Sequence, residues 1–133
     1  MTAEQRIAVV PEFGPEMCSL DIESMNFSVF HLAEKIKEWK YPWEKLMMEL
    51  SRDFVFKNTF SDLEVFTKAM KKHNVKPEIG LYGTNGLYNT GFLVRTGQLD
   101  LPVAYTSVFE APVGGGQAAV KRGYVRAASP SAF

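Results

Sequence analysis

The stretch Glu16–Phe27 constrains this chain more than any other. It follows the Gly14-Pro15 pair, passes through the short segment Met17-Cys18-Ser19-Leu20, and then delivers Asp21, Glu23, Ser24 and Asn26 in close succession. A strand that feeds a binding loop has this form. The arrangement recurs downstream: Phe54-Val55-Phe56 runs into Lys57-Asn58-Thr59, Glu78-Ile79-Gly80-Leu81-Tyr82 into Gly83-Thr84-Asn85-Gly86, and Val103–Phe109 towards Gly114-Gly115-Gly116. Strands separated by helices and ending in polar or glycine-rich loops predict an α/β fold. Its expected form is a set of consecutive βα units around a parallel four-strand sheet, with ligand groups at the carboxyl ends of the strands.

The intervening segments carry helix signals. Thr2 and Gln5 have the spacing of a capping box, and Arg6–Val10 continues a short helix that Pro11 is expected to stop. In the insert from Ser28 to Arg52, Leu32, Ile36 and Trp39 share one helical face, and Trp43–Leu50 suits a second short amphipathic helix after Pro42. Ser61 and Glu64 have the spacing of a second capping box, and Leu63, Phe66, Ala69 and Met70 make an apolar stripe at helical spacing. Lys71, Lys72 and His73 follow, where cations complement the helix dipole. A further helix is expected from Leu87 to Thr96.

Composition narrows the function classes. With 15 basic and 15 acidic residues the chain has no net field to hold a polyanion or an acidic membrane surface, so nucleic acid is not an expected partner. One cysteine, Cys18, leaves no internal disulfide and no cysteine-rich zinc cluster. The polar start and the absence of a long apolar run predict no membrane partner and a cytoplasmic protein. At 133 residues the chain suits one domain but falls short of a closed (β/α)8 barrel, which takes about 250 residues.

Three stretches resemble the β-keto acid cleavage enzymes, also called 3-keto-5-aminohexanoate cleavage enzymes. They are Pro15-Glu16-Met17-Cys18-Ser19-Leu20-Asp21 with Ser24-Met25-Asn26-Phe27, then Phe56-Lys57-Asn58-Thr59-Phe60-Ser61-Asp62-Leu63-Glu64, then Val75-Lys76-Pro77-Glu78. The insert segment Glu38-Trp39-Lys40-Tyr41-Pro42-Trp43-Glu44-Lys45 is similar to a longer connection in one branch of that family. The resemblance covers residues 1–116 and implies about half of a TIM (β/α)8 barrel, strands four to seven, with 117–133 as a divergent, poorly ordered tail. It also implies a zinc-dependent condensation of a β-keto acid with acetyl-CoA, giving an acyl-CoA and a shortened product.

The family's metal ligands, an H-x-H pair and a late glutamate, have no counterpart in this sequence, where His31 and His73 stand singly. Gly80 stands where the family carries an acid/base carboxylate, and Glu23 where it commonly has glycine. No catalytic residue and no metal ligand is therefore assigned, and the chain by itself is expected to be inactive. The alternative is a non-catalytic remnant that self-associates or weakly binds a small carboxylate.

The substrate-binding candidates are Ser19, Asp21, Asn26, Asn58 and Thr59. Ser19 and Asp21 alternate with Cys18 and Leu20, so a strand sends the two pairs to opposite sides. Ser19 then faces a substrate carboxylate or thioester, with Asn26 in the following loop, or else both satisfy backbone at a rim. Asn58 and Thr59 either hydrogen-bond the keto acid or cap the loop before Ser61. Cys18, flanked by apolar residues and lacking a nearby base, reads as a buried thiol. Gly114–Gly116 offers backbone amides to a phosphate of CoA, or is only a flexible end. Open sheet edges favour a homo-oligomer.

Overall fold

The computed structural model describes residues 1–108; Phe109, the Gly114–Gly116 loop and the tail 117–133 lie outside the described residues. In chain order the elements are α1 (Ala3–Ile7), α2 (Val9–Phe13), β1 (Met17–Asp21), β2 (Met25–Asn26), a 3-10 helix (Phe30–Lys35), α3 (Pro42–Leu50), a 3-10 turn (Ser51–Asp53), β3 (Val55–Phe56), α4 (Phe60–Lys72), β4 (Lys76–Leu81), α5 (Asn85–Arg95) and β5 (Ala104–Ser107). This is an α/β chain built on a parallel sheet of three strands in the order β1-β4-β5.

The register sets Ser19 beside Glu78 and Asp21 beside Gly80, and Gly80 in turn beside Thr106. Because neighbours in a ladder project to the same side, Ser19, Asp21, Glu78, Gly80 and Thr106 share one face. The other face carries Leu20, Ile79 and, just past β1, Ile22, which form one apolar cluster with Leu63, Phe66 and Met70 of α4 and Leu93 of α5. Fully burying one such side chain contributes roughly 1.5–3 kcal/mol, so this cluster holds the helices to the sheet.

The expected four-strand sheet is corrected to three. Phe54–Phe56 reads as a buried parallel strand, but β3 pairs antiparallel with β2, Met25 opposite Phe56 and Asn26 opposite Val55. The insert leaves after Asn26 and returns at Phe54, so the chain meets its own outgoing segment head-on and closes a two-stranded ribbon. An antiparallel pair forms wherever a chain doubles back, whereas parallel neighbours need a crossover between them. Phe54 and Val55 stay about half exposed, and the Phe56 ring packs on Phe27 with centroids 5.8 Å apart. Ribbon and insert together therefore form the connection from β1 to α4, which leaves from the carboxyl end of β1.

Two helix boundaries also move. Pro11 does not stop the first helix: the break falls at Ala8, Pro11 sits in the first turn of α2 where its missing N–H costs little, and Gly14 at φ 56° ends the helix. The capping box of α4 lies two residues upstream of Ser61 and Glu64. Thr59 is the N-cap and Asp62 its reciprocal partner, and Asp62 Oδ2 accepts from the Thr59 backbone N–H at 3.0 Å. The Thr2–Gln5 box is present as expected.

Candidate functional site

Parallel strands bring their carboxyl ends to one side of a sheet, and loops leaving that side carry the ligand groups of such folds. Here that side receives Asp21 at the end of β1 and Glu23 after it, Tyr82 and Gly83 after β4, Asn26 of the ribbon and Asn58 just past it. Ser19, Asp21 and Asn58 meet in one cleft of about 160 Å³ along the outer edge of β1, with Arg6 and Ile7 of α1 and Phe56 of β3 completing the wall. Three of the five candidate residues are thereby brought together.

Arg6 is the cation of this cleft, and the sequence reading missed it. Its Nη1 donates to the Lys57 carbonyl and its Nη2 to Asn58 Oδ1, both at 2.6 Å, and its guanidinium lies 4.9 Å from the centre of the Phe66 ring. A cation lying over an aromatic ring while donating from two nitrogens to two acceptors is the habit of arginine and not of lysine. The only sequence signal was an arginine in a short capped helix just ahead of the first strand, a pattern any solvated helix also shows.

Asp21 stands between the cleft and the bare face of the sheet. Burial pushes its carboxyl pKa up, and neighbouring Glu78 pushes it further, while Arg6 acts in the opposite direction. Glu78 in turn accepts a hydrogen bond from the Thr106 hydroxyl, which links β4 and β5 across their polar side chains. Gly80 makes room for this arrangement: a Cβ there would fall inside Asp21 Oδ1. The position thus takes glycine because the adjacent strand fills its space with a carboxylate. Tyr82 joins the group, its phenol pKa raised first by burial and then by Asp21.

The other candidates hold different positions. Asn58 is buried and fully engaged: its Nδ2 donates to the Glu23 carbonyl at 3.0 Å, its Oδ1 accepts from Arg6, and its N–H donates to Ser24 Oγ at 2.8 Å. Thr59 uses its side chain in the α4 cap. Asn26 sits exposed in β2, on the ribbon and not among the lining residues of the cleft. Cys18 packs half-buried against the apolar cluster.

The zinc implied by resemblance does not fit the donors present. Among the described residues no group of three or more His, Cys, Asp and Glu is placed to hold a metal ion. His31 lies edge-on to Phe30 in the insert and His73 caps the end of α4, both exposed. No step is therefore derived through a metal. Nor is any helix of the described residues long and apolar enough to cross a membrane.

Comparison with known proteins agrees with the strand-end motifs. The sequence profile of the beta-keto acid cleavage enzyme family matches residues 1–128. A 3,5-dioxohexanoate:acetyl-CoA acetone transferase of Paraburkholderia graminis is 38% identical over 109 residues, covering 82% of this chain and 35% of the relative. A 3-dehydrocarnitine:acetyl-CoA trimethylamine transferase of Rhizobium meliloti is 31% identical over 101 residues, covering 76% of this chain and 26% of the relative. The chain thus spans about a third or less of the length of these two relatives. With its strand-end stretches and nearly its whole length matched, the chain belongs to the β-keto acid cleavage enzyme family.

Proposed function

We propose that this chain is one wall of a β-keto acid site, a segment of a (β/α)8 barrel that binds the acid end of the substrate but does not by itself carry out the acetyl-CoA-dependent exchange. The observation that carries this reading is the convergence of Arg6, Ser19, Asp21 and Asn58 on one cleft beside the first parallel strand. A guanidinium already bound to neutral acceptors keeps its full charge, because the Lys57 carbonyl and the Asn58 amide oxygen do not neutralise it. A substrate carboxylate entering the cleft gains that charge and the Ser19 hydroxyl. Asp21 faces the same space and disfavours an anion while it is ionised, so its raised pKa suits carboxylate binding.

On this reading the co-substrate is acetyl-CoA, which the names of both relatives contain, and a metal ion for the reaction would have to be held by residues other than the described ones. Asn26 and Thr59 complete the loops around the site without a direct contact assigned to them. Acetoacetate serves as a probe. Titrated into the chain, it should shift the amide resonances of Ser19, Asp21 and Asn58, and Arg6→Gln with Ser19→Ala should weaken binding by at least tenfold. Shifts elsewhere only, or no weakening in the double variant, would contradict the assignment.

A non-catalytic, self-associating remnant is the second reading. It is favoured by α3, whose nine residues include none that is buried and whose Trp43, Leu46, Met47 and Leu50 are each more than half exposed.

A further inference from the structure

Glu23 is the least expected side chain in the molecule. It is 7% exposed, and its Oε1 has no hydrogen-bond partner among the described residues. A buried carboxyl left in that state carries a large desolvation cost, which surrounding dipoles must offset. The dipoles are identifiable. Glu23 points into the turn Gly83–Gly86, which opens the 11-residue helix α5. A Cβ on Gly86 would stand 2.6 Å from Glu23 Oε1 and 2.5 Å from Leu81 Cδ2, and a Cβ on Gly83 would stand 3.2 Å from Glu23 Oε2. Both glycines therefore leave the space that the carboxyl fills.

Helix α5 lacks every local device for its own N-terminus. Thr84 makes no capping hydrogen bond through its side chain, and the first turn contains no acidic residue. The N–H groups of Gly86 and Leu87 donate within the turn, to the Gly83 and Thr84 carbonyls at 3.3 and 3.2 Å, and the positive end of the helix dipole remains there. Two glycines at a turn that opens a helix, with the positive end of its dipole, are recurring parts of an oxyanion cradle.

We propose that the Gly83–Gly86 turn is an oxyanion-binding site for a small carboxylate, and that Glu23, delivered from the end of β1, is its tethered occupant and closes it to free ligand. This site is separate from the Arg6 cleft and does not depend on the function assigned there. Two physical features support it. Burial is the largest influence on the Glu23 pKa and raises it, Asp21 on the strand Glu23 leaves adds to the rise, and the nearby backbone N–H groups of Gly86 and Gly83 act in the opposite direction. The carbonyls on either side of the Glu23 peptide are also tied down: Asn89 Nδ2 donates to the Ile22 carbonyl at 2.8 Å and Asn58 Nδ2 to that of Glu23 at 3.0 Å, so the occupant is held from both flanking elements.

The test is chemical substitution of the missing side chain by acetate. Wild type and Glu23→Ala are titrated with sodium acetate at constant ionic strength, with chloride as the balancing anion, following melting temperature and the Gly83 and Gly86 amide resonances. Glu23→Ala should bind acetate at least tenfold more tightly than wild type, and adding Gly86→Ala should remove that gain. Equal responses in wild type and Glu23→Ala, or a gain that survives Gly86→Ala, would overturn the proposal. Should Glu23→Ala fail to fold, the wild-type chain decides: the Gly83 and Gly86 amide protons should titrate in step with the Glu23 carboxyl carbon. Amides that ignore that titration would equally overturn it.

Discussion

Asp21 and Glu23 show how single residues set the properties of this site. Both carboxyls have raised pKa values with burial as the first cause, so both bind protons more tightly in the folded chain than in the unfolded one. Their contribution to stability is fully present below their unfolded values, and it is lost as pH rises through the folded ones. Denaturant midpoints should therefore rise on moving from neutral to mildly acidic pH, and Glu23→Gln should flatten that rise while increasing stability at neutral pH. A rise that is as steep in Glu23→Gln as in wild type would remove Glu23 from the explanation. Gly80 supplies the steric counterpart. Gly80→Ala puts a methyl inside Asp21 Oδ1 and should cost about 1–3 kcal/mol in denaturant unfolding, the usual penalty for overpacking. In an Asp21→Ala background the cost should shrink, which a double-mutant cycle measures directly.

At the scale of elements, α4 is the hinge between the site and the core. Its buried face, Leu63, Phe66 and Met70, packs on the sheet, while its cap, Thr59, follows directly after Asn58 of the cleft. Thr59 and its hydroxyl hold the Asp62 carboxyl below the usual carboxylate range, with Lys57 3.4 Å away adding to the effect. A lowered carboxyl contributes stability that is present above its unfolded value and lost as pH falls through the folded one, the reverse of Asp21 and Glu23. Thr59→Ala should destabilise the chain by about 1 kcal/mol, as loss of an N-cap does, and should weaken the acid limb of the stability profile. A variant with an unchanged denaturant midpoint would show that the cap is not a source of stability.

The elements also show how far the sequence could be read. The helical stripe of α4 and the alternation of Cys18, Ser19, Leu20 and Asp21 in β1 were legible because burial on one face imposes a period. Residue pattern alone could not separate β3 from a sheet strand, because three apolar residues fit a ribbon and a buried strand equally well. The pairing was decided by the returning insert, a tertiary fact. Similarly, Thr59 and Ser61 both present a hydroxyl with an acidic residue three positions on. Only the backbone geometry selects the first. Asn58 and Thr59 read equally as ligand groups or loop caps, and in the fold their side chains are engaged with Arg6, Glu23 and Asp62. Ser19 and Asp21 remain accessible at the cleft. Arg6 went unnoticed because its role arises from α1 folding against the β3–α4 junction, some fifty residues away in sequence.

For the whole molecule, the described sheet ends in two unpaired edges, β1 and β5, and the face bearing Ser19, Glu78 and Thr106 has no described helix packed on it. Open edges and the apolar surface of α3 both promote association between chains. Sedimentation should show concentration-dependent self-association, reduced by Leu46→Glu together with Leu50→Glu; a compact monomer at high concentration would contradict it. Binding without turnover can be tested in one assay. The chain is incubated with zinc, acetyl-CoA and a panel of β-keto acids, and formation of new acyl-CoA esters is followed by mass. No acyl-CoA above the protein-free background is expected, whereas clear turnover that disappears in Ser19→Ala would show that this chain alone assembles a working active site.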